Sequence, residues 1–72
     1  MDKTNHHLHA ELEQHVYFRT GRRIHDLVIE VSAERVVLRG RTPSYYVKQL
    51  AQHGVREVLP AVSLENAIVV ER

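Results

Sequence analysis

Apolar residues recur along the chain in two helical periods and three strand-like runs. Leu8, Leu12, Val16 and Arg19 fall on one helical stripe with His15 beside Val16, while Glu11, Glu13 and Gln14 lie largely elsewhere. This spacing predicts a first helix capped by Thr4 or Asn5 and ending near Thr20, where Gly21 accepts a left-handed C-terminal conformation. Arg22 and Arg23 follow at the negative end of the helix dipole, where cations are favoured. From Ile24 to Val31 the pattern changes to alternation, with Leu27, Ile29 and Val31 on one side and Asp26, Val28 and Glu30 on the other. After the polar break Ser32-Ala33-Glu34-Arg35, the run Val36 to Arg41 resumes a β-branched strand, so the two strands form a hairpin. Neither Asn-Gly nor Asp-Gly stands in the break, which favours a longer loop built on a type I turn over a two-residue primed turn.

Thr42-Pro43 reads as a helix start, with Ser44 as the alternative cap. Val47, Leu50, Ala51, Val55, Val58 and Leu59 then form one stripe, with Gly54 in a stripe position. Glycine costs about 1 kcal/mol relative to alanine inside a helix, so Gly54 implies a close approach of another group. Tyr46 lies near the stripe and is expected in the core. Pro60 ends the helix, and Leu64, Asn66, Ile68 and Val70 alternate with Glu65, Ala67 and Val69 in a last strand. The element order is αββαβ. A crossover helix between strands, together with a second amphipathic helix, predicts an α+β two-layer α/β sandwich. Its three-stranded mixed sheet carries both helices on one face. The expected organisation is a polar N-terminal tail over residues 1–6 and a single domain over 7–72.

Composition narrows the chemistry. A chain of 72 residues fits one small domain, and the absence of cysteine removes disulfides, thiolate metal sites and cysteine nucleophiles. The longest apolar runs are far shorter than the roughly 18 residues of a membrane span. The polar start, Met1 to His7, leads into no secretory signal, so a cytoplasmic location with peripheral membrane association is the expectation. The formal net charge is +1, and protonation of all six His would take it to +7, making the chain an acid-responsive cation. His6, His7 and His9 cluster at the N-terminus, where they read as a solvated first turn. His9 and Glu13 share a helix face at i, i+4, yet no closed ligand set accompanies them, and neither metal nor cofactor is expected. Ser32, Ser44 and Ser63 stand at turns or a cap without an evident base, so an enzyme is not expected.

Three stretches together resemble the BON domain, a bacterial osmotic-stress and nodulation module: Leu27 to Val31, Val36 to Ser44, and Lys48 to Gln52. The ending Pro60-Ala61-Val62 followed by Asn66 to Val70 is similar to that family's closing motif. The chain departs from the family pattern at Ala33-Glu34 in the hairpin and at Ala61, where glycine is usual. The resemblance covers Ile24 to Val70 and implies a non-catalytic αββαβ module, usually of periplasmic or envelope proteins, that attaches to phospholipid surfaces or to other proteins.

Two surfaces are candidates. Tyr45, Lys48, Gln49, Gln52, His53 and Arg56 lie off the second helix's apolar stripe and, joined by Arg39 and Arg41 of the hairpin, form a cationic face suited to anionic phospholipid. On the sheet side away from the helices, Val28, Val37, Ala67 and Val69 offer an apolar face for a protein partner or a homodimer. Arg22, Arg23, Arg35, Arg39 and Arg41 also suggest nucleic acid, but nine carboxylates offset them and no recognition motif accompanies them, so that partner is not expected.

Overall fold

The computed structural model describes residues 3–71, with side chains from His7 onward. Helix α1 (Lys3–Thr20), strands β1 (His25–Val31) and β2 (Arg35–Thr42), helix α2 (Tyr45–Val58) and strand β3 (Ser63–Val70) follow in the expected order. The strands form one mixed sheet with β2 in the centre, β1 antiparallel to it and β3 parallel to it. Both helices pack on the same face, giving the two-layer α/β sandwich. The α1 backbone is already helical at Lys3, ahead of the expected caps Thr4 and Asn5. Those side chains, with that of His6, fall outside the described residues.

One parity of the sheet faces the helices. Ile29, Val36, Leu38 and Ile68 meet Leu12 and Val16 of α1 and Val47, Ala51 and Val55 of α2, with Ile24 completing the cluster. Burying each Val, Leu or Ile contributes about 1.5–3 kcal/mol. On α1 the stripe continues to Thr20 rather than to Arg19, which is exposed. The buried Thr20 hydroxyl donates to the Val16 carbonyl at 2.8 Å, so its oxygen is not stranded.

The apolar core is entirely aliphatic. Tyr46, expected inside, is 64% exposed, because its neighbour Val47 occupies the buried line and successive helix positions turn by about 100°. The cap of α2 also differs from the Thr42-Pro43 reading. Thr42 is the buried last residue of β2, and its hydroxyl accepts the Ser44 N–H at 3.3 Å. Ser44 is the N-cap, its Oγ accepting from the Val47 N–H at 3.2 Å. At the other end the Leu59 N–H reaches the Val55 carbonyl at 2.8 Å before Pro60 redirects the chain. The hairpin closes with the Ser32 N–H on the Arg35 carbonyl at 2.9 Å. Neither Ala33 nor Glu34 adopts positive φ, which excludes a primed turn there.

Gly54 is where the helices touch. A Cβ at this position would lie 3.1 Å from both the His15 carbonyl oxygen and the Val16 Cα. The neighbour is helix backbone and yields only if α1 moves. Gly54→Ala should therefore lower stability by up to about 2 kcal/mol, an overpacking cost of about 1–3 kcal/mol less the roughly 1 kcal/mol of helix propensity gained. Thermal denaturation should show this as a drop of about 4–8 °C per kcal/mol.

Candidate docking surfaces

The open sheet face follows from strand alternation and register. Arg35, Val37, Arg39 and Arg41 of β2 share it, opposite Val28 and Glu30 on β1 and Ser63, Glu65, Ala67 and Val69 on β3. Each arginine meets a carboxylate. Arg35 pairs with Glu65, and Arg39 Nε donates to Glu30 at 3.2 Å. Arg41 donates to Asp26 at 2.6 Å and lies 3.6 Å from Glu71. All these pairs are exposed and individually weak, but together they set what the face can bind.

This arrangement corrects both expected surfaces. Val37 lies between Glu30 and Glu65 and beside two arginine stems, leaving it 9% exposed. Val28 and Val69 remain exposed, but Val28 stands opposite Arg39 and Val69 opposite Arg41, while Ala67 is half-buried. Val28, Val37, Ala67 and Val69 therefore do not make a continuous apolar patch. Arg39 and Arg41 are engaged with acids on the sheet side, so they do not join Tyr45, Lys48, Gln52 and Arg56 in one cationic face. The sequence supplies the shared parity of the arginines, but their partners depend on the strand register.

Arg56 is committed elsewhere. Its Nη1 donates to the Val62 carbonyl at 2.6 Å and the Pro60 carbonyl at 3.3 Å, fastening the turn between α2 and β3. Along the same helix, Tyr45, Lys48, Gln49, Gln52 and His53 form, with Asn66 of β3, a polar cleft of about 200 Å³. Asn66 Nδ2 donates to the Lys48 carbonyl at 2.9 Å and anchors the cleft floor. Serines also have structural tasks, Ser44 as the cap and Ser32 as an additional donor to the Arg35 carbonyl.

A second exposed feature does not follow from either expected surface. Tyr17 and Phe18 project from the last turns of α1, Phe18 with 84% of its surface exposed. Tyr17 borders a shallow concavity of about 590 Å³ with Gly21, Arg22 and Ile24. Both aromatics fall off the line Leu12, Val16, Thr20, which is the signal by which the sequence could have placed them outside. No carboxylate among the described residues pairs with Arg22, Arg23, Lys48 or Arg56. Arg23 Nε instead donates to the Thr20 carbonyl at the helix end, at 2.8 Å.

The histidines are dispersed. His9 Nε2 bonds to the Ile29 carbonyl at 2.8 Å, and its Nδ1 lies 3.9 Å from Glu13. His15 lies 3.4 Å from Glu57, which also receives Arg19. Among the described residues no three His, Asp or Glu converge as metal ligands, and no helix is long and apolar enough to cross a membrane. No family model, curated protein or solved structure matches the chain.

At the start of β1, the register shifts by one residue between His25 and Val28, a bulge with Asp26 at φ 55°. Gly40 lies alongside at φ 153°, where a Cβ would come within 2.8 Å of Ile24 Cγ2 and 3.0 Å of the His25 carbonyl oxygen. The bulge aims Asp26 at Arg41, whose hydrogen bond and charge hold the carboxyl below its ordinary value. Stability from this pair is present above the unfolded Asp value, about 3.9, and is lost as pH falls through the depressed folded value. Arg41→Gln should shift the Asp26 titration upward into the ordinary carboxylate range, as read by NMR of the side-chain carboxyl carbon.

Proposed function

We propose that this chain is a non-enzymatic docking module that attaches to anionic phospholipid surfaces through its helical layer. The observation that carries this reading is the placement of the aromatics. All four, Tyr17, Phe18, Tyr45 and Tyr46, are exposed on the helices. The same elements bear or adjoin Arg22, Arg23 and Lys48, cations with no acidic partner among the described residues. Phenyl and phenol rings favour the boundary between headgroups and acyl chains, and each basic residue close to an anionic surface adds about 1 kcal/mol. Three cations and one inserted Phe ring supply about 4.5–6 kcal/mol, enough for weak, salt-sensitive attachment. Any His that takes up a proton in acid adds charge of the same sign. The resemblance to BON domains points to the same role, with the docking residues on the helices rather than on the hairpin.

Co-sedimentation with phosphatidylcholine vesicles, with and without phosphatidylserine, tests the reading near pH 7.5 and near pH 5.5. Binding should require the anionic lipid, weaken with salt and strengthen in acid. Phe18→Ala combined with Arg22→Glu should reduce it about 30-fold or more, the loss expected from roughly 2–3 kcal/mol. Equal binding to neutral vesicles, or no effect of the double substitution, overturns it.

A further inference from the structure

We infer that the free edge of β3 accepts an extended peptide strand that alternates acidic and apolar side chains, with α2 flanking its acidic side. The inference concerns a different surface from the aromatic pair of α1. It rests first on which backbone groups the register leaves unpaired. The Ser32 N–H bonds to Arg35 and the Glu71 N–H to Thr42. Odd positions of β2 therefore bond to β1 and even positions to β3. On β3 the complementary set, Leu64, Asn66, Ile68 and Val70, points its N–H and C=O groups away from the sheet. Among the described residues, Ile68 alone of these has its N–H engaged, by Asn66 Oδ1 at 3.3 Å. An incoming strand would take up the other groups, the binding mode known as strand addition.

The two sides of this edge differ in chemistry. On the helix side lies the polar cleft of Tyr45, Lys48, Gln49, Gln52, His53 and Asn66, about 200 Å³, large enough for one or two side chains. Lys48 is half-buried and has no carboxylate partner among the described residues. On the opposite side β3 presents Ser63 and Glu65, the latter paired with Arg35, followed by Ala67 and the exposed Val69. A strand with a carboxylate toward Lys48 and aliphatic groups toward Ala67 and Val69 matches the C-terminal half of this edge at its natural period of two.

A second copy of the chain fits less well. Antiparallel pairing of two β3 edges about a two-fold axis normal to the sheet would set one α2 flank against the other, opposing Lys48 to Lys48. The β1 edge is a poorer acceptor. It carries the bulge at Asp26, and His9 occupies the outward Ile29 carbonyl at 2.8 Å.

The probe is a capped hexapeptide of alternating Val and Glu, titrated into the ¹⁵N-labelled full chain. Its controls are the same peptide N-methylated at alternate amides and a version with Lys in place of Glu. The amides of Leu64, Asn66 and Val70 should shift, and both control peptides should bind at least tenfold more weakly. Lys48→Glu, whose amide spectrum verifies folding, should abolish the preference for Glu over Lys. Phe18→Ala with Arg22→Glu should leave the titration unchanged, which separates this site from the α1 end of the vesicle-binding surface, Lys48 being common to both. Absence of shifts at about 1 mM peptide, a binding strength under roughly 4 kcal/mol, overturns the inference. So do equal binding of the N-methylated peptide, shifts confined to other elements, and concentration-dependent shifts of these amides without peptide, which would make a second copy the occupant.

Discussion

The close contact of α1 and α2 at Gly54 sets the character of the whole molecule. With a hydrogen atom where other residues carry Cβ, the two helix backbones come together above a sheet whose inward side is Ile, Val and Leu. The resulting layer is filled by short aliphatic groups at interior density, and a ring within it would push the helices apart. The aromatic residues are therefore all on the outside, where they become available for recognition. In this fold the surface chemistry is a product of how tightly the interior closes.

Charge follows a similar division. A formal net charge of +1 suggests a bland surface, but it is the sum of two unlike regions. On the sheet side, arginines of the central strand are neutralised by acids from both neighbours. Among the described residues, the cations without acidic partners lie beyond α1 and on α2. Screening by salt acts on both regions, but only the second has an uncompensated attraction to lose.

Much of the architecture was legible from hydrophobic period. The strand residues facing the helices follow from alternation, and Gly54 was identifiable because a glycine on an apolar stripe weakens its helix unless a neighbour needs the space. Sites were less legible, for reasons that trace to particular residues. Alternation through Leu27, Ile29 and Val31 continues past the bulge without recording it, so the aim of Asp26 at Arg41 depends on cross-strand geometry. Val37 looked exposed because parity says which face a residue occupies and nothing about the long side chains beside it. Arg56 looked free because carbonyls of a turn, unlike carboxylates, leave no mark in sequence. Thr42 and Ser44 are equally good caps by composition, and the last residue of β2 settled which one serves.

The unequal edges of the sheet also limit how chains can assemble. His9 and the Asp26 bulge obstruct β1, whereas among the described residues β3 has only the Asn66 contact with Ile68. Growth of a filament requires each added unit to offer a fresh acceptor on its far side. Whole chains joined through β3 would leave only their obstructed β1 edges facing outward, which hinders head-to-tail growth by copies of this chain.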